Sequence, residues 1–237
     1  VNDAGEADDL KSVSLKHGLS VALHDYRLYL FIILQHLSLL SQTFQYFFPS
    51  IVKTLGYGHT ETLLLTAPVW FGTFLVSLLV TFTAGKTGDR SIHIICLMLV
   101  SCIGNIIATS THKTGPRFFA MFLMPMGAVS SYQIILTWIA NSFPRPLVKR
   151  SASIAICNMI GNTASIYGSY MYPESAAPQY LPGGSANSAI CATVALMALA
   201  IRFVLRQENR KLEKMQEEQV DVSMDVDKRA TEFRYVL

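Results

Sequence analysis

The sequence predicts an all-α membrane protein, and three observations carry the prediction. Six mostly apolar stretches, approximately 28–48, 62–84, 92–110, 118–139, 152–170 and 188–205, fill most of the 237 residues. A hydrocarbon core about 30 Å thick takes roughly 20 helical residues at about 1.5 Å each, so each stretch is long enough to cross it. Only Arg202 puts a charge into them, near the end of the last, where a long side chain snorkels to the interface. The composition agrees, with 51% hydrophobic and 15% charged residues and a mean hydropathy of +0.36. Thirdly, Lys and Arg gather on alternate connections. One side holds Lys11, Lys16 and Arg27, Lys86 and Arg90, Arg145, Lys149 and Arg150, and the run from Arg202 to Lys214; the other holds Lys53, Lys113 and Arg117. Positive charge beside span ends marks the cytoplasm, so both termini are expected there, which requires an even number of spans.

Taken in order, residues 1–27 read as a cytoplasmic lead. VNDAGEADD is acidic and polar, without a charged-then-apolar leader, so no cleavage is expected; 10–23 is a mixed stretch suited to the membrane surface. The first span carries Gln35, Ser38, Gln42 and Gln45 at spacings that share one helix face, and gives way to Pro49 and Gly56-Tyr57-Gly58, a compact outer turn. The second repeats the stripe with Thr66, Trp70, Thr73, Ser77 and Thr81, and Pro68 within it removes a backbone hydrogen bond and favours a kink. After a very short connection over 85–91, the third span has only a local cluster, Ser101, Cys102 and Asn105. The fourth offers Ser130, Gln133, Thr137 and Asn141 and contains Pro125. The fifth offers Asn158 and Asn162, plus a small residue at every fourth position (Ser153, Cys157, Gly161, Ser165, Ser169), which permits close approach of another helix. YPESAAPQYLPGGSAN then predicts an irregular outer loop, and the sixth span has almost nothing polar in its middle. The membrane domain thus covers 28–206. Residues 207–237 form a charged tail in which RQENRKLEKMQEEQ reads as a solvated helix before a disordered end.

The stripes group the spans in threes: the first two of each triplet are striped and the third is greasy. Amides facing lipid are costly, so the stripes must face other helices or a water-filled cavity. Interhelical hydrogen bonds, worth only about 0.6 kcal/mol each, account for any single residue as well as a cavity does, but the triplet rhythm favours cavity lining. The spans contain no Asp or Glu, and His36 is their only histidine away from an end. Without a nucleophile elbow, H-E-x-x-H or Walker A motif, the chain is not expected to be an enzyme, and no cofactor or metal is expected. The four cysteines lie within spans at no metal-binding spacing and read as packing residues. The basic residues follow topology rather than forming a patch, which speaks against nucleic acid.

FFPSIVKTLGYGHTETLLLTAP at 47–68, SIHI at 91–94, RFFAMFLMPMG at 117–127, LTWIANSFPRPLVKR at 136–150, IGNTASIYGSYMYP at 160–173, RQENRKLEKMQ and the terminal FRYVL resemble the second half of fungal anion:cation symporters of the major facilitator superfamily, the allantoate, nicotinate and pantothenate permease relatives. The resemblance covers nearly everything after about residue 20. It implies six transmembrane helices as two three-helix repeats, the C-terminal half of a proton-coupled, alternating-access importer of small organic anions in the plasma membrane. The greasy third and sixth spans would lie peripherally, and Gln42, Trp70, Gln133, Asn158 and Asn162 would offer donors to a substrate cavity. The expected partners are the lipid bilayer, a proton, a small organic anion, and either a missing N-terminal six-helix half or a second copy. The anion's counter-charge and the proton-carrying carboxylate would belong to the missing half. Where relatives carry Asp-Arg followed by Thr-Gly-Glu-Arg, this chain has Gly85-Lys86-Thr87-Gly88-Asp89-Arg90. Asp89 and Arg90 are the pair expected to bridge helix ends at a cytoplasmic gate, a merely topogenic basic loop being the equal alternative.

Overall fold

The chain, in a computed structural model that describes residues 15–46, 59–111, 113–176 and 179–222, is built of α-helices and short 3-10 turns, with no strand among the described residues. The helices are α1 (Leu15–Leu23), α2 (Tyr26–Ser41), α3 (His59–Thr87), α4 (Arg90–Ser110), α5 (Thr114–Ser142), α6 (Leu147–Asn162), α7 (Ala164–Gly168) and α8 (Leu181–Val222). Aspartates start two of them: Asp25 accepts a hydrogen bond from the Arg27 amide at the head of α2, and Asp89 from the Ile92 amide at the head of α4. Between α3 and α4 the chain reverses through Gly88, whose φ of +67° places it in the left-handed region, with its amide bonded to the Ala84 carbonyl.

Among the described residues four helical segments are long and apolar enough to cross a membrane: Leu64–Thr87, Arg90–Ser110, Gly115–Ser142 and Leu181–Gln216. These contain the second, third, fourth and sixth predicted spans. The first and fifth are corrected in form. Helices α2 and α6 are 16 residues each, about 24 Å, and then break. The breaks share a feature. At Gln42, the Ser41, Gln42 and Thr43 side chains bond back to the carbonyls of Ser38, Ser38 and Leu40. At Thr163, its own hydroxyl bonds to Ile160 O and the Asn162 amide to Asn158 O. Such side-chain bonds compete with the regular helix ladder. A 3-10 turn, Thr43–Tyr46, follows the first break; α7 and a 3-10 turn, Ser169–Met171, follow the second.

The predicted outer loop is also corrected, because α8 already begins at Leu181. Pro182 is tolerated in a first helical turn, where no intrahelical partner awaits its missing amide. Gly183 lies against the Tyr172 ring and Gly184 against Thr109, leaving no room for a side chain at either. The charged segment after the sixth span continues as the same helix to Val222. The outer turn at Pro49 and Gly56-Tyr57-Gly58 and the terminal tail lie outside the described residues. Helices α3 and α5 run unbroken through Pro68 and Pro125.

Packing pairs the helices by crossing between the two halves of the chain. Helix α2 packs on α6, α3 on α5, and α4 on α8, while α4 also lies along α5 and α1 rests on α6. A core of Phe31, Trp138, Phe143, Ile94, Met98 and Ile201 fills one end, where Phe31 meets Trp138 edge-on at 5.4 Å. Phe44, Met121, Met124 and Tyr172 fill the other. Helix α3 turns Phe71, Phe74, Leu78 and Phe82 outward, an apolar face that suits lipid rather than water. The small face of α6 is where α2 docks: Ser153, Cys157 and Gly161 are buried, and a Cβ on Gly161 would lie 2.9 Å from Leu39 and 3.0 Å from Gln35. Past the break the buried small residues are Ala164 and Gly168 rather than Ser165 and Ser169. Gly161→Leu should therefore overfill this seam at a cost of about 1–3 kcal/mol, read as a melting point several degrees lower in detergent. An unchanged melting point would place the α2–α6 contact elsewhere.

Candidate functional site

Two polar zones stand out against the apolar bundle. The first is the α2–α6 seam. Gln35, fully buried, donates from Nε2 to Asn158 Oδ1 at 3.1 Å. One residue on, the His36 ring touches the Ile160 carbonyl through Nδ1 at 3.1 Å and the Tyr167 hydroxyl through Nε2. Ile160 O also takes the Thr163 amide and hydroxyl at 3.2 and 2.7 Å, so the carbonyl freed by the break in α6 is fully engaged. Asn162 and Thr163 face outward beside Tyr167, which is 45% exposed.

Of the five residues predicted for a cavity, the structure brings Asn158 and Asn162 together, joined by the bond from Asn162 Nδ2 to Asn158 O at 2.7 Å. Gln42 is buried at the end of α2 and bonds its own helix through Ser38 O at 3.4 Å. Trp70 lies 39% exposed on α3, and Gln133 is exposed on α5. Near Gln133 the two helices are joined by Ser77 Oγ and Ser130 Oγ at 2.8 Å. Among the described residues no hydrogen bond links Trp70 or Gln133 to the α2–α6 seam. Part of each stripe therefore serves as contact between helices, while its edges stay open. The greasy helices have a polar contact too: Asn187 Nδ2 donates to Asn105 Oδ1 at 3.1 Å between α4 and α8, both residues fully buried.

The second zone lies at the end of the bundle where α2, α4 and α6 begin. Asp89 forms an ion pair with Arg202 of α8 at 2.7 Å, and Arg202 also donates to Ser91 Oγ at 2.9 Å. Arg202 is thus held by a carboxylate rather than only snorkelling to an interface. Arg90 points the other way, and the Asn141 side-chain carbonyl, turned toward it, accepts from both terminal guanidinium nitrogens. Adjacent residues therefore reach α8 and α5. Asp25 pairs with Arg27 at 2.6 Å and with Lys149 of α6 at 2.8 Å, and both cations lie against the Phe143 ring. Burial is the largest influence on the Asp25 carboxyl and pushes it up. The bonds from Arg27 and Lys149 and the Arg27 charge together outweigh burial and hold it at about 2, below the usual 3.8. Tyr26 donates to Glu208 at 3.2 Å, tying α2 to α8. Sequence reading missed Asp25, which a helix-capping search before Leu28 would have found, and Tyr167, whose partnership with His36 spans 131 positions.

Neither a family model nor a solved structure matches the chain, but curated proteins do. It is 33% identical over 202 residues to the major facilitator-type transporter hxnP of Emericella nidulans, covering 81% of this chain and 40% of that protein. It is 22% identical over 165 residues to the high-affinity nicotinic acid transporter of Saccharomyces cerevisiae (70% and 31% covered), and 26% identical over 173 residues to the thiamine pathway transporter of the same yeast (72% and 32% covered). The chain spans less than half the length of these relatives. All three are fungal transporters, and the first is named as one of the major facilitator type, which supports that superfamily for this chain. With its apolar helices, the chain is an integral membrane protein related to carriers of small molecules.

Two outcomes follow from the charged end. A double-mutant cycle on Asp89→Ala and Arg202→Ala should give a coupling of about 0.5–3 kcal/mol in thermal or denaturant unfolding, and additive effects would mean that the pair does not form. For Asp25, a folded value below the unfolded one contributes stability that is full above pH 3.8 and lost as pH falls toward 2. The stability gap between the wild-type chain and Asp25→Asn should narrow across that window, measured by acid titration of the melting point; a constant gap would contradict the assignment.

Proposed function

We propose that this chain forms the C-terminal six-helix half of a major facilitator carrier that moves a small organic anion, a carboxylate such as allantoate, nicotinate or pantothenate, together with a proton. In this reading α2 and α6, each with the short helical turns after its break, are the first and fifth spans. The observation that carries it is the exchange of partners in the bundle. The first span of each triplet packs on the second span of the other, and the two third spans pack together. Such crossing is what paired three-helix repeats require. The likeness to fungal transporters supports the same assignment, as does the covered share of each relative, which suits half of a twelve-helix protein.

The open polar edges, Trp70 on α3, Gln133 on α5 and Asn158 and Asn162 on α6, face the side on which a second six-helix unit closes the cavity. Alternating access then rocks the two units about a site near the midplane. The zone of Asp25, Asp89, Arg90 and Arg202 lies at the cytoplasmic side, with both termini in the cytoplasm and the carrier in the plasma membrane. There it fixes the helix ends of this half against one another, so that the half moves as one body.

Proteoliposome uptake tests the reading. The chain alone should not accumulate labelled carboxylate under an inward proton gradient, whereas co-expression with a matching N-terminal half should restore uptake. Robust proton-dependent uptake by the chain alone would refute the half-carrier reading in favour of a dimer of this unit. Absence of uptake in both forms would favour a membrane protein with no transport role.

A further inference from the structure

His36 is an ionisable group placed where the bundle has no fixed charge. Counting from Tyr26, it stands about 15 Å along α2, half the thickness of a hydrocarbon core. An ionisable side chain at that depth needs a partner, and this one has two. Nδ1 lies 3.1 Å from the Ile160 carbonyl, which only accepts, so Nδ1 carries the proton of the neutral ring. Nε2 is then the lone-pair nitrogen, and the Tyr167 hydroxyl beside it donates. The ring and the hydroxyl are both partly open to the outside, next to Asn162 and Thr163. Asn158 lies in the same α2–α6 seam, its Oδ1 taken by Gln35.

Resting on the carrier reading above, we propose that His36 and Tyr167 form a proton-dependent carboxylate site. A proton from water adds to Nε2, giving an imidazolium with both nitrogens donating. Nδ1 keeps its bond to Ile160 O, which remains a good acceptor. Nε2–H now donates toward Tyr167, whose hydroxyl must turn its own proton away. That released O–H and the new positive charge together suit a carboxylate. No bond other than N–H forms, and no redox partner is needed. Anion and proton then bind together by linkage: each favours the other, and neither is held well alone. This differs from the sequence expectation that only a missing half supplies the counter-charge.

The surroundings leave the switch to this pair. Helix α7 presents Tyr167, and α6 brings Cys157 on its buried side and Lys149, which is held by Asp25 at the far end. Helix α5 brings Tyr132 and, at its opposite end, Arg117; α8 brings Cys191, bonded to Ser101, and Arg202, paired with Asp89. On α2 itself, Arg27 is paired with Asp25, and Tyr26 and Tyr29 sit in the first turn, Tyr26 on Glu208 and Tyr29 on the Leu23 carbonyl. Among the described residues no Asp or Glu forms an ion pair with His36.

The test uses the full chain in lipid nanodiscs with nicotinate as probe and nicotinamide as its uncharged counterpart. Calorimetry in two buffers of different ionisation enthalpy reads protons taken up per nicotinate bound. The expected result is close to one proton, at least tenfold tighter binding at pH 5.5 than at pH 7.5, and no such dependence for nicotinamide. Nitrogen NMR of the histidine-labelled chain, with the His36 signals assigned by their loss in His36→Gln, should show a cationic ring in the nicotinate complex. His36→Gln should remove the proton uptake, and Tyr167→Phe should weaken nicotinate binding at low pH. If the wild-type chain does not bind nicotinate, if His36 stays neutral in the complex, or if one proton is still taken up in His36→Gln, the site is overturned. The carrier reading fails separately: uptake whose pH dependence survives His36→Gln sinks only this site, and a His36-dependent complex without any uptake by the assembled carrier sinks only the carrier.

Discussion

The carbonyl of Ile160 is the acceptor on which the seam between α2 and α6 depends. A helix interrupted within an apolar layer frees backbone groups that nothing around them can satisfy, so a break persists only where other groups take them up. Here the Thr163 amide and hydroxyl and the His36 ring converge on that oxygen. The break makes α6 polar on its outer side with the Ile160 carbonyl engaged, and it brings α7 and Tyr167 over His36. Gly161, one residue later, lets α2 approach closely enough for the contact to form. Backbone satisfaction, close packing and the polar cluster are thus one feature seen at three levels.

The rest of the bundle divides its polar groups in the same economical way. Buried pairs such as Ser77 with Ser130 and Asn105 with Asn187 hold neighbouring helices in register without charge. Charge is concentrated at the end where Asp25, Asp89, Arg90 and Arg202 sit, and there each carboxylate is matched by a cation that offsets the cost of its burial. The helices are in this way fixed to one another at one end and left apolar toward lipid.

Much of the fold was legible because a bilayer allows few solutions. Long uncharged stretches can only be helices, and the small residues of α6 had to meet another helix. What escaped has physical reasons. The breaks at Gln42 and Thr163 coincide with side chains bonding their own backbone, which composition does not distinguish from a polar stripe. The helical start of α8 in a Pro-Gly-Gly stretch depends on Tyr172 and Thr109 filling the space beside the glycines, a tertiary fact. In the candidate site, Asn158 and Asn162 were legible as neighbours from spacing alone. Gln42 was placed on a polar face, but that face turns inward. The partnership of His36 with Tyr167 is not legible in the sequence because Tyr167 reaches the ring only after the break redirects the chain.

In the proposed carrier the open polar edge of α6 faces water while the open apolar face of α3 faces lipid. Single cysteines report this most directly, in a chain whose Cys96, Cys102, Cys157 and Cys191 have been replaced, probed in membrane vesicles with a water-soluble maleimide. Asn162→Cys should react readily, and Phe74→Cys and Leu78→Cys, both on the exposed face of α3, should stay silent. Equal labelling at all three positions, or a silent Asn162→Cys, would contradict the account.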